Sequence, residues 1–161
     1  MRTGIGYDIH RLEKGRELVL GGRVIKYAKG LVGHSDADVV YHALCDSILG
    51  AAGLGDIGLH FPDTDPAYKG IDSAEILRKV SEMIAGKKYE VNNIDITIVA
   101  EEPNLSGYIP SMIKNIAAIL DMRKGDINIK ATTKEGLGAE GENKAISAMA
   151  ITTIIPSSFG L

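Results

Sequence analysis

Residues Gly33–Gly50 read GHSDADVVYHALCDSILG, and the rest of the chain is organised around them. Ser35 and Asp38 have the S-x-x-D spacing of a helix capping box, with an apolar run directly behind. The spacing predicts a helix from there to about Ala52, stopping at Gly53, with Val39, Val40, Ala43, Leu44 and Ile48 turned to a core. Asp38, His42 and Asp46 stand at i, i+4 and i+8 and so share a second, polar face. His34 precedes the cap, where the first helical N–H groups favour an anion. Taken alone, this helix allows two readings. In one, Asp38 is only a cap and His42 a boundary histidine bonded to Asp38 or Asp46. In the other, the histidine holds a metal beside a phosphate site.

Upstream, residues 2–10, RTGIGYDIH, alternate with the strand period. Ile5, Tyr7 and Ile9 point one way, and Gly4, Gly6, Asp8 and His10 the other. Asp8 and His10 are thus neighbours on one face at the strand end, able to share a divalent metal. The plain alternative is an exposed polar strand face, which Lys or Thr would suit equally well. With His42 they offer one hard oxygen and two imidazoles. Three protein ligands with a fourth position open is the pattern of a catalytic zinc site, whereas structural zinc normally has four.

Leu18–Leu20 and Val24–Tyr27 flank Gly21-Gly22 as a small hairpin, and Lys29-Gly30 leads into the central helix. After it, LGDIGLHFPDTDPAYKGI (54–71) has neither period, and frames Asp56, Asp63 and Asp65 with Gly and Pro. A loop of that length in a compact domain is functional or disordered, and Ile57, Leu59 and Phe61 argue for order. Its carboxylates suit substrate hydroxyls, while His60 is expected at the surface rather than as a further ligand. Asp72-Ser-Ala-Glu75 is a second capping box, opening a helix to Ala85 that ends at Gly86. A strand over Tyr89–Glu101 breaks at Glu102-Pro103-Asn104. Helical spacing runs over Tyr108–Asp121, and Asp126–Thr133 alternates as a strand. Lys134–Asn143 reads as a polar, Gly-rich turn. Ala145–Ile155 is small and β-branched on both faces, as in a strand buried from both sides. The expected class is α+β: one domain over 1–161, a mixed β-sheet with helices packed on one face and the other face covered too.

Composition narrows the function. A net charge of −3 without a basic run argues against nucleic-acid binding by a basic patch. Cys45 is the single cysteine, so no intrachain disulfide forms, and its helical position is that of a core thiol. With no signal peptide and no apolar run of membrane length, a cytoplasmic protein without a membrane partner is expected. There is no Trp and there are only two Phe, so the core is built of Ile, Leu, Val and Ala, a composition often extended by oligomerisation.

YDIH (7–10), GHSDADVVYHAL (33–44), LGDIG (54–58), HFPDTDPAYKG (60–70) and KATTKEGLG (130–138) occur in that order. With them the chain resembles, over essentially its whole length, the 2-C-methyl-D-erythritol 2,4-cyclodiphosphate synthase family of the non-mevalonate isoprenoid pathway. The resemblance implies a homotrimer with each active site between two subunits. It implies one zinc per subunit on Asp8, His10 and His42, and magnesium or manganese bridging the substrate diphosphate. His34 and Ser35 would hold phosphate beside Asp8 and His10. Asp56, Ile57 and Gly58 would hold the methylerythritol, with Phe61, Pro62, Asp63, Thr64 and Asp65 closing over it. Ala100, Glu101, Glu102, Pro103, Asn104, Leu105 and Ser106 would line the cytidine pocket, largely through backbone groups. Thr132, Thr133, Lys134 and Glu135 would meet the diphosphate, with Glu135 assisting the second metal. By the same comparison His34, Thr133 and Glu135 are catalytic, and Asp46 supports the metal site from behind.

The implied reaction starts from 4-diphosphocytidyl-2-C-methyl-D-erythritol 2-phosphate. Its 2-phosphate attacks its own β-phosphorus, giving the 2,4-cyclodiphosphate and CMP. The alternatives are a zinc hydrolase cleaving a nucleotide diphosphate and a trimeric binding protein with a structural zinc. Three positions depart from the family pattern: Asn104 where lysine is frequent, Ala139 where phenylalanine is, and Glu142 where arginine is. Two of these remove positive charge near the nucleotide phosphates, and Lys134 or Lys144 are the cations placed to compensate.

Overall fold

The structure is a computed structural model that describes residues Met1–Ser157. Its layering is set where the strand β1 (Arg2–Lys14) meets the helix α1 (Val39–Ala52). A Cβ on Gly4 would stand 2.0 Å from the Ser47 carbonyl oxygen, and one on Gly6 2.0 Å from that of Ala43. Only glycine lets helix and strand backbones approach so closely.

β1 lies inside a five-stranded mixed sheet. Its partners are β4 (Lys29–Leu31) on one side and β7 (Ala145–Pro156) on the other, both antiparallel. Beyond β7 come β5 (Tyr89–Val99), antiparallel to it, and β6 (Ile127–Thr132), parallel to β5. The order is therefore β4-β1-β7-β5-β6, with the last described strand at the centre. β2 (Leu18–Leu20) and β3 (Arg23–Ile25) form the expected hairpin, Gly21 and Gly22 taking positive φ in its two-residue turn. With α1, the helices α3 (Ser73–Gly86) and α4 (Ile109–Leu120) cover one face of the sheet. Leu44, Ile48, Leu77, Ile94, Ile96 and Ile116 belong to the sealed core beneath them, as does Cys45. Among the described residues no helix is long and apolar enough to cross a membrane.

Several expectations are corrected. Asp38, not Ser35, is the N-cap of α1, accepting the N–H groups of Val40 and Tyr41. It does not lie on a polar face. It is fully buried and also accepts Gly21 N–H at 2.9 Å and Gly22 N–H at 2.7 Å, tying the hairpin to the helix. A cap precedes the helical dihedrals, so the 3.6-residue period does not govern where its side chain goes. Burial pushes the Asp38 carboxyl up to about 6, against the pull of the N–H bonds. Residues 29–31 pair as a strand too short to alternate. The stretch 54–71 contains one helical turn, α2 (Ile57–His60), and a 3₁₀ turn at Pro66–Tyr68. The polar turn after β6 contains another, α5 (Gly138–Gly141). β7 is sealed on the helix side only. On the other side Met149 and Ile151 join Ile5, Tyr7 and Ile9 in an apolar strip, each between 41 and 63 % exposed.

Candidate active site

Asp8 and His10 project from β1 toward α1, and the glycine-permitted approach brings His42 against them. Asp8 Oδ2 lies 2.9 Å from His10 Nε2 and 3.0 Å from His42 Nδ1, and the two nitrogens are 3.2 Å apart. Tetrahedral zinc at its usual bond lengths separates ligand atoms by about 3.3 Å, so this triangle needs to open only a few tenths of an ångström. The outer nitrogens decide the tautomers. His10 Nδ1 faces the Val32 carbonyl at 2.8 Å, which can only accept. His42 Nε2 faces Ser73 Oγ at 3.0 Å, and that hydroxyl spends its proton on Asp36. Both rings therefore carry N–H on the outside and turn a lone pair inward beside a carboxylate. Three acceptors aimed at one point are the donor set of a cation, and Asp8, His10 and His42 fit zinc.

Without a cation the same triad holds protons. Burial alone would push Asp8 up, but bonds from His10 and His42 and their charges bring it down to about 2. The Asp8 hydrogen bond in turn raises His10, partly offset by burial.

A cavity of about 490 Å³ opens over the triad. It is lined by most of the residues expected there: Asp8, His10, His34, Ser35, His42, Ile57, Gly58, Phe61, Pro62, Asp63 and Thr64. His34 and Asp63 face each other at 3.6 Å, both well exposed. Phe61 packs edge-on against Tyr68 at 5.3 Å, folding the loop on itself. Asp56 and Asp65 are not in the lining. Each accepts a backbone N–H instead, Asp56 from Leu59 as the cap of α2 and Asp65 from Ala67 as the cap of the 3₁₀ turn. His60 is held by the Leu54 carbonyl at 2.6 Å, away from the triad. Asp46 lines the cavity but makes no hydrogen bond to His42. Its Oδ1 accepts Ile57 N–H at 2.8 Å and so anchors the turn that presents Ile57 and Gly58. Burial raises its carboxyl.

A second cavity, also about 490 Å³, is lined by Ala100–Ser106, Ile109, Ala131, Thr132 and Thr133. Leu105 is its buried floor, and Ala100 N–H donates to the Thr132 carbonyl. The Glu102–Pro103 peptide is cis. Lys134 and Glu135 lie just outside the lining, exposed, Lys134 N–H bonding Glu101 and Glu135 N–H bonding Thr133 Oγ1. The two cavities share no lining residue. Paired residues Asp8, Ala148, Ile98 and Ala131 form one row across the sheet. Three strand spacings along it amount to about 14 Å.

Asp36, Ser73 and Val32 escaped the sequence reading, though Asp36 sits inside the motif that opened it. Only tertiary contact makes them partners of the triad.

A family model described as the YgbB family matches residues 1–155. The chain belongs to the YgbB family. A relative in Clostridium acetobutylicum named 2-C-methyl-D-erythritol 2,4-cyclodiphosphate synthase is 55% identical over 155 residues, covering 96% of this chain and all of that one. A relative of the same name in Clostridium perfringens is 53% identical, covering 96% and 99%. Among solved structures, the bifunctional IspDF of Campylobacter jejuni superposes with a TM-score of 0.91 at 41% identity. It covers 95% of this chain, which spans 42% of that longer protein. IspF of Plasmodium falciparum in complex with CDP gives 0.85 at 39% identity, covering 98% and 97%. The α+β class and mixed sheet agree with these YgbB relatives, whose names give no support to the hydrolase alternative.

Two of the three departures from the family pattern have visible consequences. Asn104 accepts Ser106 N–H and Oγ, ordering the turn of the second cavity where a lysine would add charge. Glu142 pairs with Lys144, so that lysine is already engaged. Nothing in the structure explains Ala139.

Proposed function

We infer that this chain converts 4-diphosphocytidyl-2-C-methyl-D-erythritol 2-phosphate into 2-C-methyl-D-erythritol 2,4-cyclodiphosphate and CMP, as a CMP-forming phosphorus–oxygen lyase of isoprenoid synthesis. The supporting observation is the inward-facing triad of Asp8, His10 and His42 beneath a cavity of about 490 Å³, in a chain of this family. The physical problem is repulsion, because the substrate's 2-phosphate must meet its own β-phosphate. Two unit charges about 4 Å apart repel by roughly 4 kcal/mol at an effective dielectric near 20, and each group is multiply charged. A chain of net −3 does not offset that with side chains alone. The chemistry supplied by bound zinc, with magnesium or manganese, is charge neutralisation and Lewis-acid polarisation at the phosphates.

The residues supply positioning. His34 and Ser35 hold the phosphate next to the triad. Ile57 and Gly58, on the turn that Asp56 caps, hold the methylerythritol, and Phe61, Pro62, Asp63 and Thr64 close on it, with Asp65 capping the turn behind them. Residues 100–106 hold the cytidine, Thr132, Thr133 and Lys134 meet the diphosphate, and Glu135 carries the second metal. The attacking oxygen is already ionised at neutral pH, so no protein base is required.

The working unit is a cytoplasmic homotrimer of single-domain chains. Two observations support the trimer: the open apolar strip on β1 and β7, and two cavities without a common residue. A closed ring with identical head-to-tail contacts buries the first and joins the second across each interface. The test is incubation of the cytidyl substrate with the zinc-loaded protein and magnesium, followed by phosphorus NMR. A cyclic diphosphate plus CMP is expected. An open-chain product, or no turnover by zinc-loaded protein, refutes the assignment.

A further inference from the structure

The carboxylate one turn beyond His42 does not support it, since Asp46 is committed to Ile57 N–H. What touches the outer edge of His42 is Ser73, the first residue of α3, which has no exposed surface. We propose that Asp36 and Ser73 are positioning residues of the metal centre, a relay from carboxylate through hydroxyl to His42 Nε2 that fixes the ring with its Nδ1 lone pair aimed at the ion. The proposal rests on the zinc reading of the preceding section.

The single proton of the Ser73 hydroxyl sets the direction. A serine hydroxyl has one proton, and here it is donated to Asp36 Oδ1. Toward His42, 3.0 Å away, Ser73 can therefore only accept, which requires the proton on Nε2. Asp36 Oδ1 is itself held by Asp38 N–H at 3.2 Å and Ser35 Oγ at 3.3 Å, within the turn that starts α1. The relay thus joins three segments: that turn, the first residue of α3 and the first turn of α1. His10 is different. A backbone carbonyl orients it, so no side-chain change on Asp36 or Ser73 reaches it directly. The relay also has a position in the chain that matters, because Ser73 follows directly on the loop that carries Phe61–Asp65. The hydroxyl anchoring the end of that loop is the one that sets the His42 ring, and Ser35 Oγ stands 3.3 Å from it.

Partners of this kind, when removed, typically cost 10–100-fold in metal affinity. Competition with a chromogenic zinc chelator on the full-length chain should show Ser73→Ala weakened by about that factor. Asp36→Asn keeps an acceptor oxygen and should lose less than Ser73→Ala. A two-bond proton–nitrogen correlation spectrum of the zinc-loaded wild-type protein reads the tautomer without any substitution. His42 should show a protonated Nε2 and a metal-shifted Nδ1. Wild-type zinc affinity in a folded Ser73→Ala chain overturns the relay while leaving the zinc assignment standing, and so does the opposite His42 tautomer. Should Ser73→Ala fail to fold, the wild-type spectrum decides. A wild-type chain that takes up no zinc overturns both readings.

Discussion

Replacing Gly6 by alanine should damage the metal centre without touching a ligand. The new Cβ would stand 2.0 Å from the Ala43 carbonyl oxygen and 2.7 Å from Ser47 N, both backbone atoms of α1 that cannot swing aside. An ordinary contact begins near 3.4 Å, so the helix must retreat by about 1.4 Å (3.4 less 2.0) or the strand must bend by as much. Ala43 is the residue next to His42, whose Nδ1 sits 3.0 Å from Asp8 and 3.2 Å from His10. Metal–ligand distances tolerate about 0.2 Å, far less than the required shift. Overpacking of this kind also costs about 1–3 kcal/mol, or a fall of roughly 2–12 °C in melting temperature for a domain of this size. Thermal unfolding and zinc stoichiometry after gel filtration are the assays. The control is Gly86→Ala, where a Cβ meets nothing within 4 Å. A Gly6→Ala protein that melts with the wild type and keeps one tightly bound zinc would refute the idea that the bare strand sets the ligand geometry.

Mixing tests whether sites are shared. His42→Ala and Thr132→Arg homotrimers should each be nearly inactive, but refolded together in equal amounts about one quarter of sites regain two intact halves. No recovery in verified hybrids would place each site within one chain. Ile151→Glu puts a charge in the open apolar strip and should give a folded monomer by light scattering, an unchanged trimer counting against that interface. Glu135→Gln should retain zinc yet demand more magnesium for turnover, which a magnesium titration reads; identical titration curves would remove Glu135 from that role. Asp38 titrates near 6 when folded, against 3.8 unfolded, so it favours the folded state fully below about pH 4, and that contribution falls away as the pH rises through 6. The loss is on the order of 3 kcal/mol. Urea unfolding of metal-free protein, at fixed concentration between pH 4 and 7, should show wild type losing ground relative to Asp38→Asn; parallel curves would refute it.

The candidate metal triad is legible because each member obeys a period. Asp8 and His10 are two apart on a strand, and His42 sits inside a helix whose apolar positions are unmistakable. The element order followed for the same reason. Asp38 was misplaced because a cap lies outside the period it introduces. Its real partners, Gly21 and Gly22, are amides of a distant turn. The Asp36–Ser73 pair was invisible because a hydroxyl becomes a partner of histidine only when two helices meet. Gly4 and Gly6 share the strand face of Asp8 and His10, and two glycines on the inward face of a strand mark a backbone approaching from above. The apolar outward face of β7 showed in its composition, but composition says that a surface is covered and not by what.

The position of β7 bears on how the protein comes into being. It is the last described strand in sequence and the middle strand of the sheet, pairing Arg2 with Ile154 across nearly the whole chain. Until it arrives, no strand pairing joins β4-β1 to β5-β6 and each ribbon has an unpaired edge, the first carrying Asp8 and His10, the second leading into Thr132 and Thr133. Contacts so distant in sequence form slowly, and open edges in the meantime invite pairing with other chains. Synthesis halted before Ala145 therefore leaves a sheet without its middle strand, its two open edges exposed to proteases. Limited proteolysis of stalled nascent chains should show protection appearing only once residue 156 has cleared the ribosome. β7 acts as a keystone, locking the ribbons on either side of it into one frame in a single late step.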